Sequence, residues 1–502
     1  MKKKIIIVGA GIAGLNSGIE LLQKGYDVEI YEKNDEVGGL CSGYFVDGYN
    51  IDACLHWLMG TKKGTILNTL WKNNGALTDD IEISNLPFFC SFLYKGTKVT
   101  FSRNLEEEEA RWIDLAPSDA KVIHNFFKSV KNLATLWDLT QDENRTILSK
   151  DAIKVVPNAA SIIKSMRMSR KDYAKQFTHP ALRFAIENAM TGYNNAYFFM
   201  QVYALFSTGD GNVPMGGAYK MIQRIKERYL SLGGKLYLNN PIDEFIVEEN
   251  HINGAKSNNQ IIIGDYYISA LDNNYTLKKL LKNQYHTRTY DYLNNNIKNN
   301  PISSSFCVYV RTTKDVSHID VPTCIKIQKI KVGAKKVDSL LVRPYGFDKE
   351  YQYQDGSTVI SLFVDQNQDD YAYFKHLENY EKEEKRIIKD MISSLEEIYP
   401  ELKGNLVYLT HFGPLEIKRQ TNTSFGALQA YSFAKTGVLY QFSGKLRKID
   451  NLYMCGQWNR SIGGTPTALL SSHEIVKKIV KQDNKKPIYK TLIDKMPFKK
   501  KK

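Results

Sequence analysis

Three glycines at positions 9, 11 and 14 and an acid at Glu32 have the types and spacing that hold a dinucleotide. Gly9 permits a sharp turn, Gly11 leaves bare backbone for a pyrophosphate, and Gly14 lets a helix lie close against a strand. The N–H groups and partial positive charge at that helix start would hold phosphates. Glu32 would accept hydrogen bonds from an adenosine ribose and repel a 2′-phosphate. The elements needed to position these residues can be read around them. Ile5-Ile6-Ile7-Val8 reads as a buried strand, and Ile12, Leu15, Ile19 and Leu22 recur at helical steps. Gly25 closes the helix, and Asp27 to Tyr31 resumes an extended pattern ending at Glu32. The opening MKKKIIIV also has the look of a secretory signal. No small-residue cleavage site follows it, and the βαβ pattern continues instead.

The segment EVGGLCSGYFVDGYNIDACLHWLMG extends the site. Gly38 and Gly39 follow Glu32 after a short loop, and Asp47-Gly48 reads as a two-residue hairpin turn. A second glycine pair at this distance suits a long dinucleotide whose pyrophosphate and ribityl chain pass close to backbone, which points to FAD rather than NAD alone. Further along, Gly216-Gly217 precedes a helix from about 218 to 230, Gly233-Gly234 ends it, and Lys235 to Leu238 begins a strand. Strands are expected over 242–248, 252–255 and 261–270, as a second βαβ-like stretch completing the sheet. Near the end, Leu452 to Cys455 is a short apolar strand, Gly456-Gln457 a close turn, and 461–464 a loop ending at Gly464. Thr465 is placed to cap a helix beginning at Pro466-Thr467.

These three stretches, VGAGIAGL through LHWLMG, VPMGGAYKMIQRIKERYLSLGGKLYLNNPIDEFIVEENHINGAK, and NLYMCGQWNRSIGGTPTALLSSHEIVKKIV, resemble the FAD-dependent oxidoreductases that include phytoene desaturases, carotenoid isomerases and retinol saturases. Those enzymes are related in fold to the amine oxidases. The resemblance implies an α/β protein: a Rossmann-like FAD-binding domain assembled from discontinuous segments, with a mixed-sheet substrate domain and a helical cap. It implies FAD contacts at Gly9, Gly11, Gly14, Glu32, Gly38, Gly39, Gly456, Gln457, Gly464, Thr465, Pro466 and Thr467, with the backbone near Ile242 touching the adenine. The last helix start, aimed at the flavin N1/C2 carbonyl edge, would stabilise negative charge as the ring accepts hydride. Two positions depart from the relatives. Gln457 stands where an acid is usual, leaving an amide able to bond a ribityl hydroxyl, and Leu40 stands where many have arginine.

IDACLHWLMG resembles the G-I-H-Y-I-G segment of retinol saturases. That places His56 as a candidate catalytic residue where the chain leaves the flavin domain. With an ordinary pKa near 6.5 it could position a substrate's polar end or pass a proton. The plain alternative is a histidine bonded to neighbouring backbone.

The flavin domain is expected from residues 1–60, 205–290 and 435–482. Residues 61–204 read as a mainly helical cap, with Val122, Ile123, Phe126, Phe127, Val130, Leu133 and Trp137 as one apolar stripe that is core or membrane-facing. Residues 291–434 form the substrate domain, with strands near 303–312 and 358–364 and a charged helix over 371–398. Residues 483–502 are a basic tail. From Lys477 onward, eleven lysines against two aspartates carry most of the net charge of +14. An anionic membrane surface is one partner for that tail, and a solvated end is the other reading. No nucleic-acid module is present. No apolar run approaches bilayer length. Six cysteines lack paired spacing, which suits reduced thiols and a cytoplasmic location, peripheral at the inner membrane face if the tail engages it. No metal-ligand spacing occurs, and no metal is expected.

The expected function is FAD-dependent oxidation, reduction or isomerisation of carbon–carbon bonds in an apolar polyene, isoprenoid or other lipid. One alternative is an amine oxidase, which usually carries a lysine near flavin N5 on a strand such as SSSFCVYVRTT; here none precedes Lys314. The other is a prenyl carrier of the same fold, against which the intact FAD motifs argue. A second G-x-G-x-x-G unit is absent, so the electron partner, whether oxygen, a quinone or NAD(P)H, stays open.

Overall fold

The computed structural model describes residues 2–141, 165–190, 195–433 and 439–484. Its first layer is a five-stranded parallel sheet in the order Leu452–Met454, Tyr266–Ser269, Lys4–Val8, Asp27–Tyr31, Lys235–Tyr237. All five strands lie within 1–60, 205–290 and 435–482. The run Ile5 to Val8 is continuously apolar because both faces of the sheet are covered. Ile5 and Ile7 pack with helices Ile12–Gln23, Gly217–Ser231 and Gly464–Asp483. Ile6 and Val8 pack with Phe245, Ile252 and Ala255 of an antiparallel three-stranded sheet, Glu244–Glu248, His251–Ser257 and Gln260–Ile262. The middle segment thus differs from a plain βαβ completion. Its 261–270 stretch is two strands, one in this small sheet and one, Tyr266–Ser269, in the parallel sheet.

The second layer is a seven-stranded mixed sheet in the order Val407–Phe412, Ser304–Thr312, Thr358–Gln366, Lys335–Pro344, Thr323–Val332, Phe88–Tyr94, Thr97–Ser102. Only the Thr323–Val332 and Phe88–Tyr94 pair is parallel. Two of its strands therefore come from the stretch read as mainly helical. Alternation divides its faces. Phe306, Val308, Val310, Leu340, Val342, Ile360, Leu362 and Val364 pack on helices Gln368–Lys375 and Tyr380–Ile398. Cys307, Tyr309, Leu341 and Phe363 face the other way, into the cavity described below. The single charged helix expected over 371–398 is two helices. Asn379 accepts a backbone bond from Lys382 and restarts the chain as a new N-cap after the break.

Helices Leu105–Leu115, Ala120–Gln141, Arg170–Ala174, Pro180–Asn188 and Ala196–Ser207 form the cap. Ile123, Phe126, Phe127, Val130 and Leu133 are buried in its core, so the apolar stripe packs inward rather than on a membrane. Phe126 stacks on Trp112 at 5.3 Å and on Phe199 at 5.7 Å. Asp483, the first residue of the stretch read as a basic tail, is helical. Asp483 ends the last helix and accepts bonds from Lys3, Tyr26 and Tyr266, while residues 485–502 lie outside the described residues.

Phe126→Ala should cost about 3–5 kcal/mol of stability, read as a lower urea midpoint. Cofactor content should be unchanged, because none of the five buried stripe residues lines the cavity.

Candidate functional site

The first glycine turn is built by close approach. Gly9 has φ +100°, and a Cβ on Gly14 would stand 1.9 Å from the Gly9 carbonyl oxygen, so only glycine lets the helix press onto the turn. Gly11 is different. A Cβ there would meet only the Gly38 carbonyl, at 3.6 Å, and its open side faces the cavity. The helix begins at Ile12 with no side-chain cap. Gly38 donates to the Ala10 carbonyl at 3.0 Å, and Gly38 and Gly39 take φ of +122° and +59°, so the second glycine pair lies beside the first turn. Glu32 is buried. Its Oε2 accepts from Ala10 N at 2.8 Å and its Oε1 from Asn34 N at 3.0 Å, which fixes the carboxylate at the cavity wall near Pro241 and Ile242.

The C-terminal turn reaches the same cavity, but its local chemistry differs from the expected cap. The helix starts at Gly464, with Gly463 as the N-cap at φ +67°, so Thr465 does not cap it and Pro466 is its third residue. Proline is still suited there, inside the first turn where its missing N–H is not needed. Gln457 does the bracing. Its Oε1 accepts from Gly464 N at 2.9 Å and its Nε2 donates to the Leu428 carbonyl at 3.0 Å, so both ends of the amide are engaged by protein backbone. Gly456, at φ +129°, is held by Ser471 Oγ at 2.8 Å. Thr465, Pro466 and Thr467 line the cavity.

One cavity of about 710 Å³ therefore joins Gly9, Gly11, Glu32, Gly38, Gly39, Ile242, Gly456, Gln457, Gly464, Thr465, Pro466 and Thr467. Gly14 stays behind it as packing. Two side-chain-free turns, an uncapped helix start and a ribose-directed acid fit FAD. The same cavity continues among Trp57, Phe89, Met190, Phe198, Val202 and Phe363. Leu40 also lines it, adding apolar surface.

His56 lies on this wall, its ring edge-on to Phe363 at 5.6 Å. Its turn is held from behind. Asp52 Oδ1 accepts from Cys54 N at 2.9 Å and Leu55 N at 2.7 Å, Oδ2 accepts from Ala218 N at 3.0 Å, and Tyr309 donates to the Asp52 carbonyl at 2.7 Å. Arg343 Nη1 donates to the His56 carbonyl at 2.7 Å, and its guanidinium lies 5.3 Å from the Tyr345 ring centre and 5.4 Å from that of Phe347. Burial, assisted by the Arg343 charge, lowers the His56 pKa to about 3. The imidazole is thus neutral at physiological pH. The proton-passing role drawn from an ordinary histidine pKa does not hold, because the ring cannot titrate near neutrality. Nor is the ring tied to neighbouring backbone; its Nδ1 is buried without a hydrogen-bond partner among the described residues.

The profile of the family described as flavin containing amine oxidoreductase matches residues 12–480. The chain belongs to this family. It is a flavin oxidoreductase that uses FAD, and curated relatives cover most of its length. It is similar to a 1-hydroxycarotenoid 3,4-desaturase from Flavobacterium, 21% identical over 94% of this chain and 97% of the relative. A 4,4'-diaponeurosporene oxygenase from Staphylococcus haemolyticus is 20% identical over 95% and 97%. Among solved structures, an oxidoreductase from Methanosarcina mazei aligns with TM-score 0.59 at 14% identity, covering 94% of this chain and 100% of that one. Putrescine oxidase bound to putrescine aligns with TM-score 0.59 at 15% identity, covering 96% and 99%. These structural likenesses establish a shared fold.

Sequence reading missed Asp52 and Arg343 in this flavin oxidoreductase. The available signal was a lone acid and a lone arginine inside otherwise apolar strand ends, NIDACL and LLVRP. It could not say that the two meet behind one histidine.

Gly11→Asp should abolish FAD binding, since a carboxylate would take the phosphate position; the flavin absorbance of the purified variant checks it. His56 also makes a pH prediction. Its folded pKa of about 3 lies below its unfolded value of 6.5, so below about 6.5 the unfolded chain binds a proton that the native one refuses. Stability from this group falls on acidification, by up to about 1.4 kcal/mol per pH unit towards pH 3. Urea titrations at stepped pH should show a shallower acid loss in His56→Phe.

Proposed function

We propose that this flavin oxidoreductase acts on carbon–carbon bonds of an apolar polyene, by desaturation, saturation or isomerisation. In this reading the three parallel-sheet segments form the flavin domain, and the mixed sheet with the helical cap forms the substrate chamber. The observation that carries it is the chamber's chemistry. Trp57, Phe89, Met190, Phe198, Val202, Leu205, Leu341 and Phe363 line it, and among the described residues the only acids on the cavity are Glu32 and Asp272. Both acids brace the cofactor turns. Glu32 takes the Ala10 and Asn34 N–H groups, and Asp272 takes those of Asn274 and Ser424 beside Leu271, whose side chain packs at Gly9. An amine substrate would bring an ammonium into a chamber whose described acids brace the cofactor turns rather than the aromatic wall, with a buried guanidinium close behind, an unfavourable burial. Relatives named for carotenoid desaturation and oxygenation support the same class.

When bound, FAD supplies a two-electron acceptor or donor. The chain's own residues then exclude water from the chamber, orient a long flat substrate between aromatic walls, and place a helix start at Thr465–Thr467 where negative charge would be favoured. The test is anaerobic mixing of the FAD-loaded protein with linear carotenoids in neutral micelles. Loss of oxidised-flavin absorbance, or a chromatographic shift of the polyene without it, is expected, and putrescine should leave the flavin oxidised. Bleaching by the amine alone would replace this reading with amine oxidation.

No helix among the described residues is long and apolar enough to cross a membrane. The membrane contact proposed is peripheral attachment through the lysines beyond Asn484, whose positive charge suits an anionic surface. Removal of residues 485–502 should weaken sedimentation with anionic vesicles in a salt-sensitive way, each surface lysine contributing about 1 kcal/mol. Sedimentation equal to that of the full chain would assign those lysines to solubility.

A further inference from the structure

Among the described residues that line the cavity, His56 and Gln429 each carry a buried polar atom that no protein group answers, and His56 is the one that stands against the aromatic wall at Phe363. The His56 imidazole lines the cavity, its Nδ1 is sealed without a partner, and no hydrogen bond from the described residues reaches either ring nitrogen. Such an arrangement is costly in a folded core and marks a group meant for a ligand. The ring's protonation can be worked out. It is neutral, so it carries a single N–H. A sealed N–H with no acceptor costs more than an idle lone pair, which puts the proton on Nε2 and leaves Nδ1 as the unused acceptor.

Resting on the polyene reading above, we infer that His56 offers Nε2–H to the substrate and selects a polyene bearing a neutral oxygen, a hydroxyl or carbonyl, over the plain hydrocarbon. The surroundings exclude the charged choices. An ammonium would find, among the described residues of the cavity, only the two carboxylates that brace the cofactor turns, Glu32 and Asp272. A carboxylate would need a cation beside the ring, and the described cations on the cavity, Lys33 next to Glu32 and Arg460 on Glu474, are engaged at the cofactor end. Arg343 is 1% exposed and does not line the cavity, Arg460 is paired with Glu474, and Lys33 donates to the Arg419 carbonyl. A hydrocarbon would leave the imidazole N–H unmet in a dry chamber, whereas an uncharged oxygen satisfies it without importing charge. Arg343 acts as a positioning residue. Its 2.7 Å bond to the His56 carbonyl fixes the turn from which the ring projects, and its charge helps keep the ring neutral.

The experiment compares matched polyenes on the FAD-loaded protein: retinol against deoxyretinol, and the hydroxylated carotenoid rhodopin against lycopene. Binding is read anaerobically from perturbation of the flavin spectrum in neutral micelles. Wild type should bind the oxygenated member of the pair that fits its chamber on the order of tenfold more tightly. His56→Phe keeps a ring against Phe363 and should erase that preference, weakening the alcohol and, by removing the unmet N–H, tightening the hydrocarbon, with flavin content as the check that the variant folds. The wild-type preference should also stay flat from neutrality down to about pH 5, since the ring remains neutral there. Equal affinity within each pair, or a preference that survives in His56→Phe, would overturn the inference and leave the polyene reading standing. Binding of none of these polyenes would overturn both.

Discussion

The contact between helix Ile12–Gln23 and the Gly9 turn is the constraint on which the rest of the molecule depends. A Cβ on Gly14 would sit 1.9 Å from the Gly9 carbonyl oxygen, well inside any tolerable separation. Its absence lets the helix start directly at the end of the first strand, with its uncapped N–H groups turned into the cavity. Other parts are fitted around that point. Gly38 bonds the Ala10 carbonyl, Glu32 bonds the Ala10 N–H, and Leu271 packs where a Gly9 side chain would be. A neighbouring stretch and one segment far along the chain therefore converge on one turn of backbone.

The second layer answers a different physical problem, how to hold an apolar substrate beside a polar cofactor. Period-two alternation in the mixed sheet gives one face to helices Gln368–Lys375 and Tyr380–Ile398 and the other to the cavity. The buried charges of this region are kept off the cavity surface. Asp52 is wrapped by three backbone N–H groups, and Arg343 sits between aromatic rings and the His56 carbonyl. Burial raises the Asp52 pKa while those N–H groups and Arg343 oppose the shift. Charge is thus used for positioning from behind, and the chamber itself meets its substrate with uncharged groups.

Local signals were legible wherever a residue's backbone needs are specific. The glycines of the first two turns, the Asp47-Gly48 hairpin with φ of +50° and +84°, and the left-handed Gly25 all read correctly because only certain residues tolerate those conformations. Legibility failed where two local solutions have similar cost. A threonine before a proline looks like a cap, yet Gln457 reaches the Gly464 N–H from the preceding turn and moves the start of the helix. Phe88–Tyr94 and Thr97–Ser102 sit among helices in sequence, and their strand character is fixed by pairing with Thr323–Val332, more than two hundred residues away.

Sequence by itself determined the first strand–turn–helix–strand unit, the glycine cradle and FAD, because these rest on short-range sterics and on spacing within a single βαβ unit. Tertiary structure alone decided the character of His56. The imidazole is neutral because burial and the Arg343 guanidinium, 287 positions away along the chain, act on it together. Desolvation and through-space charge depend on what folding brings near, and no pattern of neighbouring residue types encodes them.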